Sequence, residues 1–281
     1  MNSKANIVIT GAGGQLALSF EKIVGSSSDF LFLSKDQLDI TDKNAVALFF
    51  KENTPKILIN TAGYTQVDKA EIESEKAFRI NAEGVKNLAE SCVEHGCKLI
   101  HFSTDYVFDG KANTPYKESD HPNPQTVYGQ SKWAGEQAIL ESGLQEFAII
   151  RTSWLYSEYG HNFYKTMLRL GETHTSLKVV NDQQGCPTYA PDLAQTVLEI
   201  LPKLNTLTSG IYHFCNHGST TWYDFVKAIF EEKNIKIDIT PIATKDYPTA
   251  AQRPLYSVLD TRKIIRTFGI QIPDWRDRLE L

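Results

Sequence analysis

The chain has 281 residues, enough for one large α/β domain or for a dinucleotide-binding domain carrying a smaller lobe. Its hydrophobic content of 41% supports a sizeable core, and 29 basic against 34 acidic residues leave a formal charge of −5, with no basic run that would grip nucleic acid. No apolar stretch approaches the roughly 20 residues of a membrane span, no leader pattern precedes the first strand, and the four cysteines lack C-x-x-C or zinc-ligand spacing; free thiols, no membrane and a cytoplasmic setting are the expectation.

Short apolar runs alternate with helical patterns along the chain, which predicts a parallel sheet with helices on both faces. Residues 6–10 read as the first strand. They run into Thr10-Gly11-Ala12-Gly13-Gly14-Gln15-Leu16-Ala17, a glycine turn that opens a helix. Such a turn lets a pyrophosphate reach main-chain N–H groups where the helix dipole favours anions, although glycine also serves plain strand-to-helix turns. Ala17 stands where a third glycine is common and is small enough to keep helix and strand close.

The second strand, residues 30–33, ends in Leu33-Ser34-Lys35-Asp36. A hydroxyl on Ser34 and a cation on Lys35 suit a ribose 2′-phosphate better than a carboxylate would, so NADPH is expected, with NADH as the alternative if Lys35 is only a solvated loop residue. Asp39 and Ile40 can bond and pack an adenosine, or Asp39 or Thr41 can simply cap the next helix. The third strand, residues 56–60, leads into Thr61-Ala62-Gly63-Tyr64-Thr65, small residues that leave room for a ligand at the sheet edge. An amphipathic segment over 73–95 follows, then a fourth strand over 98–103 ending at Thr104.

Downstream comes Tyr128-Gly129-Gln130-Ser131-Lys132, with a helical pattern over 132–142. Residues four apart share a helix face, so Tyr128 and Lys132 present a phenol and an ammonium side by side. A neighbouring cation is expected to lower the phenol's pKa and let it exchange a proton with an alkoxide, while Thr104 hydrogen-bonds the reacting oxygen. Y-x-x-x-K alone is common by chance. Its place after the glycine turn, the small residues behind strand three and the hydroxyl ending strand four brings all of these to the carboxyl edge of one sheet. A fifth strand over 147–151 and candidates at 177–181 and 211–214 complete the pattern. After Arg151, prolines at 187, 191, 202, 241, 248 and 254 interrupt it. The expected division is residues 1–151, mainly cofactor-binding, and 152–281, mainly a discontinuous substrate lobe with segments returning to the sheet.

This order resembles the extended short-chain dehydrogenase/reductase superfamily and, within it, the dTDP-4-dehydrorhamnose reductases, across essentially the whole chain. The segments that carry the likeness are 14–16, 38–41, 64–71, 103–110, 151–156, 162–163, 166–170, 181–183, 185–189, 253–254 and 256–257. The resemblance implies a Rossmann-type doubly wound α/β sheet with a smaller C-terminal lobe. It implies reduction of the C4 ketone of a dTDP-linked 4-keto-6-deoxy-L-sugar to dTDP-L-rhamnose by hydride from NAD(P)H, a step of polysaccharide biosynthesis. Catalysis would fall to Thr104, Tyr128 and Lys132, with Lys132 on the nicotinamide ribose. Gly11, Gly13, Gly14, Gln15, Leu16, Ser34, Lys35, Asp39, Ile40, Ala62, Gly63 and Tyr64 would bind cofactor. Thr65, Val67, Asp105, Tyr106 and Trp154 would line the sugar site, and Asn162, Arg169, Gln183 and Thr188 would help hold the nucleotide.

Three departures stand out. Ala17 replaces the third glycine, Ser157 follows Trp154-Leu155-Tyr156 where glycine is usual, and Ser19 stands near the place of an acidic residue that bridges some relatives through Mg²⁺. No metal site is therefore assigned, Mg²⁺ stays open, and the chain is expected to be a monomer or homodimer. Two rival readings use the same scaffold. A dehydratase or epimerase is disfavoured because Asp105-Tyr106 lacks the second carboxylate, or the paired serines, at the strand end. A non-catalytic regulatory subunit is disfavoured by the intact Thr104, Tyr128 and Lys132.

Overall fold

The computed structural model describes residues 5–280. Strands β1 (Ile7–Thr10), β2 (Phe30–Leu33), β3 (Ile57–Asn60), β4 (Lys98–Thr104) and β5 (Phe147–Thr152) fall within one residue of their expected bounds. The chain then makes β6 (Leu155–Tyr156), β7 (Ser176–Val180), β8 (Gln184–Gly185) and β9 (Thr188–Tyr189), and returns to the main sheet as β10 (Gly210–His213). Last come β11 (Thr220–Thr221) and β12 (Asp238–Ile242). The main sheet is six-stranded and parallel throughout, in the order β10-β5-β4-β3-β1-β2. The candidate strand at 177–181 is not part of it: β7 pairs with β12 in a separate two-stranded sheet.

Helices α1 (Gln15–Val24), α2 (Lys43–Asn53), α3 (Val67–Ala70), α4 (Ser74–Phe78), α5 (Gly84–His95) and α6 (Val127–Glu141) fill the crossovers of the first half. Helices α7 (Phe163–Thr173), α8 (Ala190–Ile200), α9 (Trp222–Glu232) and α10 (Arg262–Phe268) belong to the second. Successive strand residues point to opposite faces, and both faces are buried. Ile9, Ile59, Ile100 and Ile150 pack with α1 and α8 on one side. Val8, Leu58, Leu99 and Ile149 pack with α2 and α5 on the other. Ala17 is buried in the first of these clusters, where its small side chain keeps α1 close to the sheet. A third core, built on Tyr156, Tyr164, Phe225 and Trp275, lies outside the sheet in the C-terminal half. All four cysteines are free and buried, and no helix among the described residues is long and apolar enough to cross a membrane.

Strand order reverses between β1 and β3, because the chain runs outward from β1 to β2 before crossing back. In open parallel sheets this switch point is where ligands bind. The expected helix over 73–95 is interrupted there by a π-helical turn at Arg79–Glu83, which joins α4 to α5. Such turns are rare and frequent at functional sites. This one presents Asn81, which is 1% exposed.

Helix α6 starts earlier than the expected 132, so Tyr128 lies in its first turn. Thr126 caps it by accepting from the Gly129 N–H at 3.0 Å, and the Glu71 carboxylate accepts from Val127 N–H at 2.9 Å. Its close approach needs two glycines. A β-carbon at Gly129 would run into the Tyr106 carbonyl, and one at Gly135 into the Asn81 carbonyl. Between them and the sheet, Glu136 is fully buried and meets Arg151 of β5 through two bonds, 2.9 Å to Nε and 2.6 Å to Nη2. Ser103 donates to the same carboxylate at 2.5 Å.

A buried ion pair is costly to break from one side, because the survivor is left charged and unpaired. Arg151→Met should therefore destabilise the protein by about 3–5 kcal/mol, and adding Glu136→Leu should recover much of that loss. Urea unfolding midpoints of the single and double variants measure both; equal destabilisation by the two would contradict the pairing argument.

Candidate active site

A cleft of about 800 Å³ runs along the carboxyl edge of the sheet. The glycine turn contributes Gly11, Gly13, Gly14, Gln15 and Leu16, and the segment after β2 contributes Lys35, Asp39 and Ile40. Ala62, Gly63, Thr65 and Val67 follow β3; Thr104, Asp105 and Tyr106 follow β4; Tyr128 and Lys132 come from α6; Trp154 and Asn162 enter from the C-terminal half. Five expected residues lie outside this lining. Ser34 accommodates a turn, its N–H bonded to Gln37. Tyr64 is buried beside the cleft, with its hydroxyl on Glu73. Arg169 is exposed on α7, while Gln183 and Thr188 are buried behind the wall.

The glycine turn is built for a ligand. Gly11 has φ +82°, and a β-carbon on it would stand 2.6 Å from the Ala62 nitrogen. Gly13 has φ +85°. Only glycine takes these angles without strain. The N-cap of α1, Gly14, carries no side-chain cap, so the first-turn N–H groups of α1 keep their capacity for an anion. The residues present therefore suit a dinucleotide pyrophosphate. Gln15 ties this turn to the C-terminal half: its Oε1 accepts from Asn162 Nδ2 at 2.6 Å, and its Nε2 donates to the Leu155 carbonyl at 3.2 Å. Asn162 also donates to the Ser157 and Tyr159 carbonyls. Ser157, where glycine is usual in the resembling family, is buried and accepts from the Tyr159 N–H, closing a tight turn.

At the adenosine end, Asp39 Oδ1 accepts from both the N–H and the hydroxyl of Thr41. Burial opposes its charge, but these bonds and the cations Lys35 and Arg79 hold the carboxyl below its ordinary range. Neither Asp39 nor Thr41 is the cap of α2; Asp42 is, accepting from Asn44 and Ala45 N–H. Lys35 is exposed, with Nζ 3.8 Å from Asp39. Among the described residues no group of three or more His, Cys, Asp or Glu side chains is arranged to hold a metal. Ser19 is buried and donates to the Gln15 carbonyl.

The chemical centre gathers Thr104, Tyr128 and Lys132. Thr104 and Lys132 are buried and Tyr128 is half-buried. Tyr106 packs edge-on against Tyr128, ring centroids 5.5 Å apart. Lys132 Nζ donates to the Phe102 carbonyl at 2.5 Å. A β-carbon on Gly63 would stand only 3.9 Å from that ammonium. Burial lowers the Lys132 pKa to about 8, against the pull of Glu136. The phenol behaves otherwise than expected from the sequence. Burial pushes Tyr128 above the ordinary tyrosine range, hydrogen bonding to Thr104 draws it back, and Asp105 and Tyr106 push it further up. The cause is desolvation, which outweighs any lowering by the lysine.

Other residues proved important that spacing alone could not reveal. Asn81 accepts from the Tyr64 N–H at 2.8 Å and donates to the Tyr64 carbonyl and to Ser131, fixing the loop after β3 against α6. Trp222 stacks on Trp154 at 3.4 Å between centroids and lines the same cleft. Trp154 itself has φ +48°, a left-handed conformation unusual for an aromatic residue, and its ring leaves no room for a β-carbon at Gly185. Backbone strain of this kind concentrates at binding sites. Arg253 donates to the Tyr106 hydroxyl at 3.0 Å and pairs with Asp68 at 2.6 Å.

Comparison with known proteins agrees with this geometry. The family model described as RmlD substrate binding domain matches residues 5–281. A dTDP-4-dehydrorhamnose reductase from Aggregatibacter actinomycetemcomitans is 43% identical, over 98% of this chain and 97% of its own length. A crystal structure of a dTDP-4-dehydrorhamnose reductase from Clostridium acetobutylicum is 41% identical, with a TM-score of 0.93 over 98% of this chain and 96% of the other. One from Bacillus anthracis, in complex with NADP, is 40% identical, with a TM-score of 0.93 over 99% and 98%. With a Rossmann-type sheet, a glycine cradle at its switch point and a Thr-Tyr-Lys centre on one cleft, this chain belongs to the RmlD family.

Proposed function

We propose that the protein is a reductase of the dTDP-4-dehydrorhamnose type, converting the C4 ketone of a dTDP-linked 4-keto-6-deoxy-L-sugar to the alcohol of dTDP-L-rhamnose. The observation that carries this reading is the meeting of Thr104, Tyr128 and Lys132 with the glycine turn in one cleft. A bound dihydronicotinamide supplies the hydride to the carbonyl carbon. Everything else falls to side chains of the chain itself.

A phenol held above its ordinary pKa is a neutral acid across the working range, and an alkoxide is a far stronger base than a phenolate. Tyr128 therefore delivers its proton to the carbonyl oxygen as negative charge builds there. Thr104 orients that oxygen. Lys132, charged below about pH 8, stabilises the phenolate left behind and holds the cofactor ribose. The aromatic walls of Tyr106 and Trp154 exclude water from the reacting carbonyl and strengthen each of these interactions. Thr65, Val67, Asp105 and Tyr106 take the sugar. Asn162 takes the nucleotide side, while Gln183 acts on it indirectly by accepting from Trp222 Nε1 at 3.2 Å. Thr188 likewise acts through the wall, its hydroxyl bonded to that of Thr152 at 3.1 Å, whereas Arg169 lies exposed on α7 and is a weaker member of the site.

NADPH is the proposed cofactor, with Lys35 meeting the 2′-phosphate and Asp39 and Ile40 the adenosine. Residues 1–151 mainly serve the cofactor and 152–281 mainly the sugar nucleotide. We place the enzyme in the cytoplasm, acting as a monomer or homodimer on a small molecule.

Two measurements test this. Tyr128→Phe should lower kcat by about 10²–10⁴-fold in a cofactor-oxidation assay with the keto sugar, product stereochemistry at C4 being read by NMR; unchanged turnover would falsify the phenol's role. Lys35→Ala should raise KM for NADPH about fivefold, roughly 1 kcal/mol for an exposed charge contact, and leave KM for NADH alone. An equal change for both cofactors would remove Lys35 from the phosphate.

A further inference from the structure

The hydroxyl of Thr104 has one hydrogen to donate and two positions at which to accept. The Tyr106 N–H takes one of the accepting positions at 3.2 Å. The Tyr128 phenol lies against the same hydroxyl, in a contact that favours its charged form. The hydrogen itself points at Asp105 Oδ1, 3.0 Å away. An ionised carboxylate can only accept. With Asp105 ionised, then, Thr104 has no hydrogen left to give a ketone.

A protonated Asp105 reverses the contact. Its O–H donates to Thr104 at an accepting position, which frees the Thr104 hydrogen. We propose that Asp105 is a positioning residue, whose protonated carboxyl donates to Thr104 and so turns the Thr104 hydroxyl onto the substrate ketone. This rests on the roles given above to Thr104 and Tyr128.

The surroundings of Asp105 favour such a part. It is 2% exposed and makes no ion pair among the described residues. The cations nearby are engaged elsewhere: Arg253 with Tyr106 and Asp68, Lys132 with the Phe102 carbonyl. Oδ2 has no hydrogen bond of good geometry, although Ser257 is close enough to favour its charge. The other titratable groups facing it are Tyr106, pushed up to about 12 chiefly by burial, Tyr128, and Cys215, whose thiol is pushed up by its bond to Cys186 and by burial. None of these gains charge near neutrality. Burial raises Asp105 itself to about 6, with Ser257, Thr104 and the local backbone pulling back. The carboxyl is thus protonated below that value and ionised above it.

The test is the pH dependence of kcat for the holoenzyme at saturating NADPH and keto sugar, in the wild type, Asp105→Asn and Ser257→Ala. The wild-type rate should fall as pH rises from about 5 to about 7.5, while Asp105→Asn, which cannot ionise, should lose that limb whatever its plateau, since the residue also faces the sugar. Ser257→Ala removes a bond that favours the carboxylate, so it should move the limb to higher pH. A limb kept unchanged in Asp105→Asn, or an unmoved limb in Ser257→Ala, overturns the inference. If Asp105→Asn does not fold or does not turn over, the Ser257→Ala shift alone decides. Tyr128→Phe separates this from the function: its loss of turnover beside an unchanged limb in Asp105→Asn sinks only the role of Asp105.

Discussion

The carboxylate of Glu136 and the guanidinium of Arg151 meet in the dry space between α6 and the sheet, and the placement of the reactive phenol depends on that meeting. The pair spans α6 and β5, and Ser103 adds the end of β4 to it. Two charges out of water are tolerated only with good geometry and satisfied lone pairs. The helix can therefore sit at one height and one rotation, and Tyr128 and Lys132 inherit that placement. Thr104, one residue beyond Ser103, inherits it from the other side. What looks like a catalytic triad is held by a structural ion pair beneath it.

A second buried row acts along the sheet instead of across it. Thr10, Asn60 and His101 are register partners on β1, β3 and β4. Thr10 donates to Asn60 at 2.7 Å, and Asn60 meets His101 Nδ1 at 3.0 Å. Burial, then the nearby Lys132, holds the imidazole well below its ordinary pKa, so it stays neutral. Asn60 also accepts from the Ala62 N–H, and the Thr61 hydroxyl donates to the Thr10 carbonyl. Polar groups bonded in this way across the interior specify one arrangement of strands, with only His101 Nε2 in the row left without a partner among the described residues. Here they lock the glycine turn against the small residues after β3, the two edges between which a cofactor would lie.

Much of this was legible in the amino-acid order because it is local. A strand followed by Gly11 to Gly14 announces its own turn, and Tyr128 and Lys132 share a face by helix geometry alone. Sheet strands could be placed within a residue because buried parallel strands read as unbroken apolar runs. What escaped was long-range or collective. Asn81 reads as one polar residue in an amphipathic helix, and only the π-helical turn makes it a brace. Trp222 stands far from Trp154 in sequence. Arg169, Gln183 and Thr188 fell in family-like segments, yet only the fold shows that they stand outside the cleft wall. The direction of the Tyr128 shift was misjudged because a neighbour's charge is visible in a sequence, whereas desolvation belongs to the assembled pocket.

The glycines at 129 and 135 have a consequence for anyone wishing to toughen the protein. Replacing helical glycine by alanine is among the safest ways to raise thermal tolerance, since it trims the freedom of the denatured chain. On α6 that route is closed, because at both positions a methyl group would strike a carbonyl oxygen. The helix that bears the acid thus carries a permanent entropic handicap. Resilience must be sought on surfaces remote from it, and the looseness of this one helix in the unfolded chain is the toll of bringing a phenol so near a sheet edge.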